Sequence, residues 1–248
     1  MILKSIRSMR RSAGIFVACL CVMMPASAIE TFEGFDDYSG LTSKGWNFQN
    51  LSNPLGDLAW FQGDTVIFDA QAGPDNSYLA ANFDNVNGLG TISNWAITPM
   101  LMYSNGDTFS FYSRTEAGST WPDRLEVRLS TQGNSSNVGS SDTSVGDFTD
   151  LLLTVNPGLT VNGYPEVWTK YDITLSGLSG PTTGRIAFRY FVTNAGSQGD
   201  FGNYIGIDSL LITTAVPEPS TWVLCGLSVG ALGLGIRRKV NRSGRGRG

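Results

Sequence analysis

The run Arg124-Leu125-Glu126-Val127-Arg128-Leu129-Ser130 alternates without a fault. Leu125, Val127 and Leu129 fall on one side, and Glu126 with the two arginines on the other. Successive side chains of an extended strand point to opposite faces, so this period of two predicts a half-buried antiparallel strand with its charges toward solvent. Arg185-Ile186-Ala187-Phe188-Arg189-Tyr190-Phe191-Val192 repeats the pattern, with Ile186, Phe188, Tyr190 and Val192 sharing a face. Thr108-Phe109-Ser110-Phe111 is a shorter version. The same reading places strands over 65–68, 78–83, 92–98, 167–175 and 204–213. Turn signals divide them at Asn105-Gly106-Asp107, Asn162-Gly163 and Ser179-Gly180-Pro181. Helical periodicity of useful length is missing between 29 and 215. Many short strands with frequent turns predict an all-β sandwich or barrel, and about 190 residues suit one such domain. Residues 132–147, QGNSSNVGSSDTSVGD, break the pattern. Their small polar composition reads as a long solvated surface loop, or else as a loop that carries a ligand.

Both ends differ from this body. Lys4, Arg7, Arg10 and Arg11 precede an apolar run over 13–24, and Pro25-Ala26-Ser27-Ala28 follows. That order predicts a signal peptide over 1–28, cut by signal peptidase to leave Ile29 first. The run is too short for an anchor, since twelve residues span about 18 Å of a roughly 30 Å hydrocarbon core. At the other end, Val216-Pro217-Glu218-Pro219-Ser220 leads into an apolar run over 221–236, then Arg237-Arg238-Lys239 and a basic tail to 248. Proline fixes φ and holds its predecessor extended, so the strip at 216–219 presents Glu218 from a stiff, non-helical backbone. Sixteen residues make a helix of about 24 Å, short for a lasting span. The arginines would stop it on the cytoplasmic side.

With both ends set aside, residues 29–216 carry seven basic and twenty acidic residues, a net charge of −13. Such a body repels nucleic acid and anionic lipid. The three cysteines, at 19, 21 and 225, all lie in the end segments, and the chain has no histidine. Thiol nucleophiles, serine–histidine triads and histidine or cysteine zinc sites are thereby excluded from the body, and disulfides do not hold it. Carboxylates, hydroxyls and oxygen-ligated metals remain.

Several segments, in order, resemble the choice-of-anchor J family, related to the cleaved-adhesin and MAM-like jelly rolls. They are Glu30-Thr31-Phe32-Glu33-Gly34-Phe35, Lys44-Gly45-Trp46, Asn94-Trp95-Ala96-Ile97-Thr98-Pro99, Asp107-Thr108-Phe109-Ser110-Phe111, Trp168-Thr169-Lys170-Tyr171, Gly184-Arg185-Ile186-Ala187-Phe188 and Ile205-Gly206-Ile207-Asp208. The resemblance implies a jelly-roll β-sandwich over 29–215 and extracellular binding in place of catalysis. The three-part end, 216–248, resembles a PEP-CTERM sorting signal. That implies a transient inner-membrane span over 221–236, cleavage by an exosortase near Pro217-Glu218-Pro219, and delivery to the cell surface or extracellular matrix. A retained single-span anchor is the alternative.

Jelly-roll binding modules often tie a first-strand acid to a last-strand acid through calcium. The matching positions are Glu33 and Asp208, with Asp36 or Asp37 nearby. Asp75-Asn76 and Asp84-Asn85-Val86-Asn87-Gly88 read as plain turns, lacking the EF-hand spacing. Exposed aromatics stack on sugars, and among Trp60, Trp95, Trp121 and Trp168 the loop context GSTWPD marks Trp121 as the ligand-binding candidate. Trp46, Trp95 and Trp168 suit core packing. Glycosidase chemistry needs two carboxylates across a sugar; Glu116 and Glu126 are available, but Glu126 sits among arginines where an ion pair is simpler. The expectation is an adhesin-like domain that binds extracellular polysaccharide or protein. A non-binding structural matrix component is the alternative, and a glycan hydrolase a remoter one.

Overall fold

The computed structural model describes residues 28–215. All of the expected signal segment but Ala28, and the whole of the expected sorting signal at 216–248, including Val216, Pro217, Glu218, Pro219, Arg237, Arg238 and Lys239, lie outside the described residues. The described strands are β1 (Ala28–Glu33), β2 (Asn47–Asn50), β3 (Asn53–Leu55), β4 (Phe61–Gln62), β5 (Leu79–Asn82), β6 (Val86–Ile97), β7 (Leu101–Tyr103), β8 (Thr108–Thr115), β9 (Leu125–Ser130), β10 (Asp150–Val155), β11 (Thr169–Thr174), β12 (Thr182–Ala195) and β13 (Tyr204–Ala215). Every strand pair is antiparallel.

Two sheets form. One runs β11-β8-β13-β5-β4, with β1 on the second half of β13; the other runs β10-β9-β12-β6-β2, with β3 and β7 attached to β6 and β12. The inward positions of β8, β9 and β12 are the apolar ones predicted by alternation. Phe109 and Phe111 from one sheet meet Phe188 from the other, with ring centroids 5.6 and 4.9 Å apart. Each such buried ring contributes about 2–3 kcal/mol, which is how an all-β body without disulfides is held. A bulge at Ser209, which sits at φ 50°, re-phases β13: Ile205 and Ile207 face inward before it, Leu210 and Ile212 after it. This jelly-roll β-sandwich agrees with the predicted fold.

The outer faces depart from expectation. Residues 132–148 do not stand off as a solvated loop. They cross the back of the second sheet as a strap, burying Val138 and Phe148 against Trp95, Ile97 and Ala187. Trp95 and Phe148 rings lie 5.8 Å apart. Beneath the strap, Glu126 is buried instead of solvent-facing, and it pairs with Arg128 at 2.7 Å and Arg189 at 3.2 Å. Arg189 lies over the Phe191 ring at 3.7 Å and donates to the Asp142 carbonyl of the strap. On the first sheet, residues 65–68 form a turn and not the expected strand, because Asp64 folds the chain back on itself: its carboxylate accepts from Val66 N–H and its carbonyl from Ile67 N–H. The turn delivers Phe68, which packs with Tyr78, Tyr204 and Trp168 over the back of that sheet. Gly206 makes room for this cover, since a Cβ there would stand 2.8 Å from the Trp168 ring and 2.9 Å from Phe68.

Candidate functional site

The site begins with a buried carboxylate that sequence reading passed over. Asp123 follows Trp121-Pro122 and lies at the end of the sandwich where β8 leads into β9. Its Oδ1 accepts from the Tyr190 hydroxyl at 2.6 Å and from Asn203 N–H at 2.7 Å. Its Oδ2 accepts from the Thr115 hydroxyl at 2.7 Å, and its carbonyl from the Asn156 amide at 2.9 Å. One side chain and its backbone thus bind β8, β12 and the two loops that lead from β10 and into β13. Burial pushes the Asp123 carboxyl up, and the three donors pull against that.

This knot sets Trp121. The carbonyl of Pro122 accepts from Gly202 N–H at 2.9 Å. The Ser119 hydroxyl accepts from Trp121 N–H and from the Asn203 amide. The Asn203 amide also donates to Glu116 at 2.9 Å. Trp121 itself is 52 % exposed, so an indole on a fixed base faces solvent. It forms a wall between two depressions. One is a cavity of about 290 Å³ lined by Phe83, Ser197, Gly202 and Asn203; the other is a shallow cleft lined by Ser119, Asp123, Asn162, Tyr164 and Glu166. An exposed aromatic face beside polar side chains can hold a sugar ring by stacking and hydrogen bonding.

The other predicted site residues lie elsewhere. Trp60 is buried at 2 % exposure and offers no platform; Trp46 packs on Phe35 in the main core. Trp95 is buried too, but under the strap, while Trp168 is half-buried and donates its indole N–H to the Asp69 carbonyl. Glu126 is engaged with two arginines under the strap, so it does not face Glu116 across a sugar.

Glu33 and Asp208 sit close in register, since Glu33 pairs with Leu210 across β1 and β13. Their carboxylates do not converge. Glu33 accepts from Phe35 N–H and pairs with Lys44 at 2.9 Å. Asp208 points to the outer face, where Oδ2 accepts from Gln71 and Ala72 N–H and Oδ1 from Ser209 N–H. Asp36 reaches the same loop, with its Oδ1 against Gly73. Asp37 caps the following turn at Ser39. Among the described residues, no three histidine, cysteine, aspartate or glutamate side chains gather to hold a metal.

Comparison with known proteins gives two results for different parts of the chain. A family model described as the PEP-CTERM protein-sorting motif matches residues 215–239. That motif indicates exosortase-dependent export with sorting at the membrane toward the cell surface. The body is similar in fold to the K1 cleaved adhesin domain of Lys-gingipain from Porphyromonas gingivalis W83, at 19 % identity and a TM-score of 0.50, covering 76 % of this chain and 99 % of that one. It is likewise similar to the K2 cleaved adhesin domain of Lys-gingipain, at 18 % identity and a TM-score of 0.52, covering 75 % and 100 %. No curated protein matches the chain. No helix among the described residues is long and apolar enough to cross a membrane; the apolar run at 221–236 is not among them.

Proposed function

We propose that this chain is an exported surface or matrix protein of the choice-of-anchor J kind, whose sandwich binds glycan at the Trp121 rim. Its temporary tail is cut by an exosortase near Pro217-Glu218-Pro219. The observation that carries the binding reading is the pairing of a half-exposed indole with a cavity of about 290 Å³, both mounted on the buried Asp123 knot. Trp121 stands on loops fixed from below by Asp123, Ser119 and Asn203, which lowers the entropy lost on binding. Cleaved-adhesin similarity supports the sandwich, and the sorting motif supports a place outside the cell where polysaccharide is the abundant partner. A glycan array probed with the full-length protein in detergent tests the reading. Saturable retention on a subset of glycans, lost in Trp121→Ala, is expected. Silence on every glycan would overturn it and favour a non-binding matrix component.

A further inference from the structure

The same rim points to the charge of its ligand, and the inference rests on the glycan reading above. All seven basic residues of the body are already engaged. Lys44 pairs with Glu33 and Lys170 with Asp172. Arg128 and Arg189 pair with Glu126. Arg185 donates to Asn134, Gly45 and Thr98. The two arginines that flank the rim in sequence are also turned to backbone: Arg114 lies over Phe68 and donates to the carbonyls of Thr115 and Glu166, while Arg124 lies over Phe191 and donates to the Phe191 carbonyl. Among the described residues, the rim therefore presents no uncommitted cation to an anionic sugar, its nearest arginine, Arg114, being engaged with Glu166. It presents acids: Glu166 lines the cleft on one side of Trp121, and Glu116 is held by the Asn203 amide that lines the cavity on the other. A uronate or sulfate would meet like charge from a body of net charge −13.

An exposed indole that shares a cleft with a carboxylate, Trp121 with Glu166, is an arrangement that attracts an ammonium group, by cation–π and by charge. We propose that the Trp121 rim binds polysaccharide bearing free amino sugars, with the ammonium beside Trp121 in the cleft lined by Glu166, and with Glu116 adding to the negative field of the rim. Neutral sugar contacts supply the stacking, and the amine supplies the choice among glycans.

The test compares β-1,4-glucosamine oligomers with their fully N-acetylated counterparts, in mildly acidic buffer, using the full-length protein in detergent. Deacetylated oligomers should bind about tenfold more tightly, and the difference should shrink with added salt. The double variant Glu116→Gln/Glu166→Gln should lose that preference, its affinity for deacetylated oligomers falling to that for acetylated ones. Trp121→Ala should lose both, which separates the site from general adsorption of a polycation to an acidic protein. Thermal melting checks that each variant is folded. Equal affinity for the two oligomers, or a preference that survives in Trp121→Ala or in the double variant, overturns the amino-sugar assignment and leaves the glycan site standing. If neither these oligomers nor any glycan on the array binds, both readings fail together.

Discussion

Glu126 and Arg189 face each other across β9 and β12, with Oε2 and Nη1 3.2 Å apart and both side chains almost wholly buried beneath a polar strap. Ion pairs at this depth gain stability only while both partners stay in place. Glu126→Ala leaves Arg189 charged and buried, with a pKa already lowered to about 10 by burial. Unfolding in denaturant should show a loss of about 3–5 kcal/mol. Residues 132–148 should lose hydrogen-exchange protection in the same variant, since Arg189 holds the Asp142 carbonyl. A variant as stable as the parent would show that the strap is held by Val138 and Phe148 alone.

The Asp123 knot makes a different prediction, on binding. Asp123→Ala strands the Tyr190 hydroxyl and Asn203 N–H in the interior, while the Thr115 hydroxyl keeps the Tyr204 carbonyl as acceptor. Stability should fall by about 2–4 kcal/mol. Glycan affinity should fall too, although Trp121 is untouched, because the loops at 116–122 and 196–203 lose their common anchor. Titration calorimetry on a folded sample at low temperature reads this directly.

Asp208 sets a pH dependence. Its folded-state pKa is pushed up to about 6 from 3.8 by burial, with N–H donors from Ala72, Ser209 and Gln71 opposing the rise. A raised value means the fold favours the protonated form. The contribution is complete below 3.8 and is lost as pH climbs through about 6. This one residue should make the body up to about 3 kcal/mol more stable near pH 4 than near pH 7. Asp208→Asn should flatten that part of the curve. Carboxyl-carbon NMR should place the midpoint near 6; a midpoint in the ordinary carboxylate range would contradict the burial argument.

The aromatic cover over the first sheet depends on one missing methyl group. Gly206→Ala would drive a Cβ to within 2.8 Å of Trp168 and 2.9 Å of Phe68. Overpacking of this kind costs about 1–3 kcal/mol. Trp168 fluorescence should shift toward solvent, and a spectrum identical to the parent's would mean that the rings move aside freely.

Sorting is testable by mass. Protein recovered from the matrix of a host that carries an exosortase should begin at Ile29 and lack Arg237-Arg238-Lys239. Glu218→Gln should leave the tail attached and the protein in the membrane fraction. Recovery of mature protein with Arg237 present would favour the retained anchor.

Much of the sandwich was legible because period two is a backbone property: β8, β9 and β12 could be read from alternation alone, whereas the bulge at Ser209 breaks the alternation of β13. The covers were not legible. Residues 65–68 are apolar enough for a strand, but they serve the back of a sheet from a turn that Asp64 sets. The polar composition of 132–147 hid the fact that Val138 and the adjoining Phe148 suffice to pin a long segment when the surface beneath offers Trp95 and Ala187. β10 was missed because Leu151-Leu152-Leu153 is a continuous run without alternation. Within the site, Trp121 could be picked from its loop context. Asp123 could not, since a buried acceptor of three hydrogen bonds has the same letter as the nineteen other acids of the body. A Trp-Pro-Asp sequence opening a strand is the signal that could have found it.

The pairing of Ala28 with Ala215 brings the two ends of the described body together at one end of β13, an interior strand that also joins β8 and β5. Export is vectorial, so β13 is the final piece of the body to reach the outside, yet it is the strand around which that sheet is assembled. Its partners must wait, with their edges unsatisfied, until Tyr204–Ala215 has crossed. If the apolar run that follows is the transient span proposed above, it would halt the chain at the moment when this strand becomes available, and the body would close while still tethered, before any release.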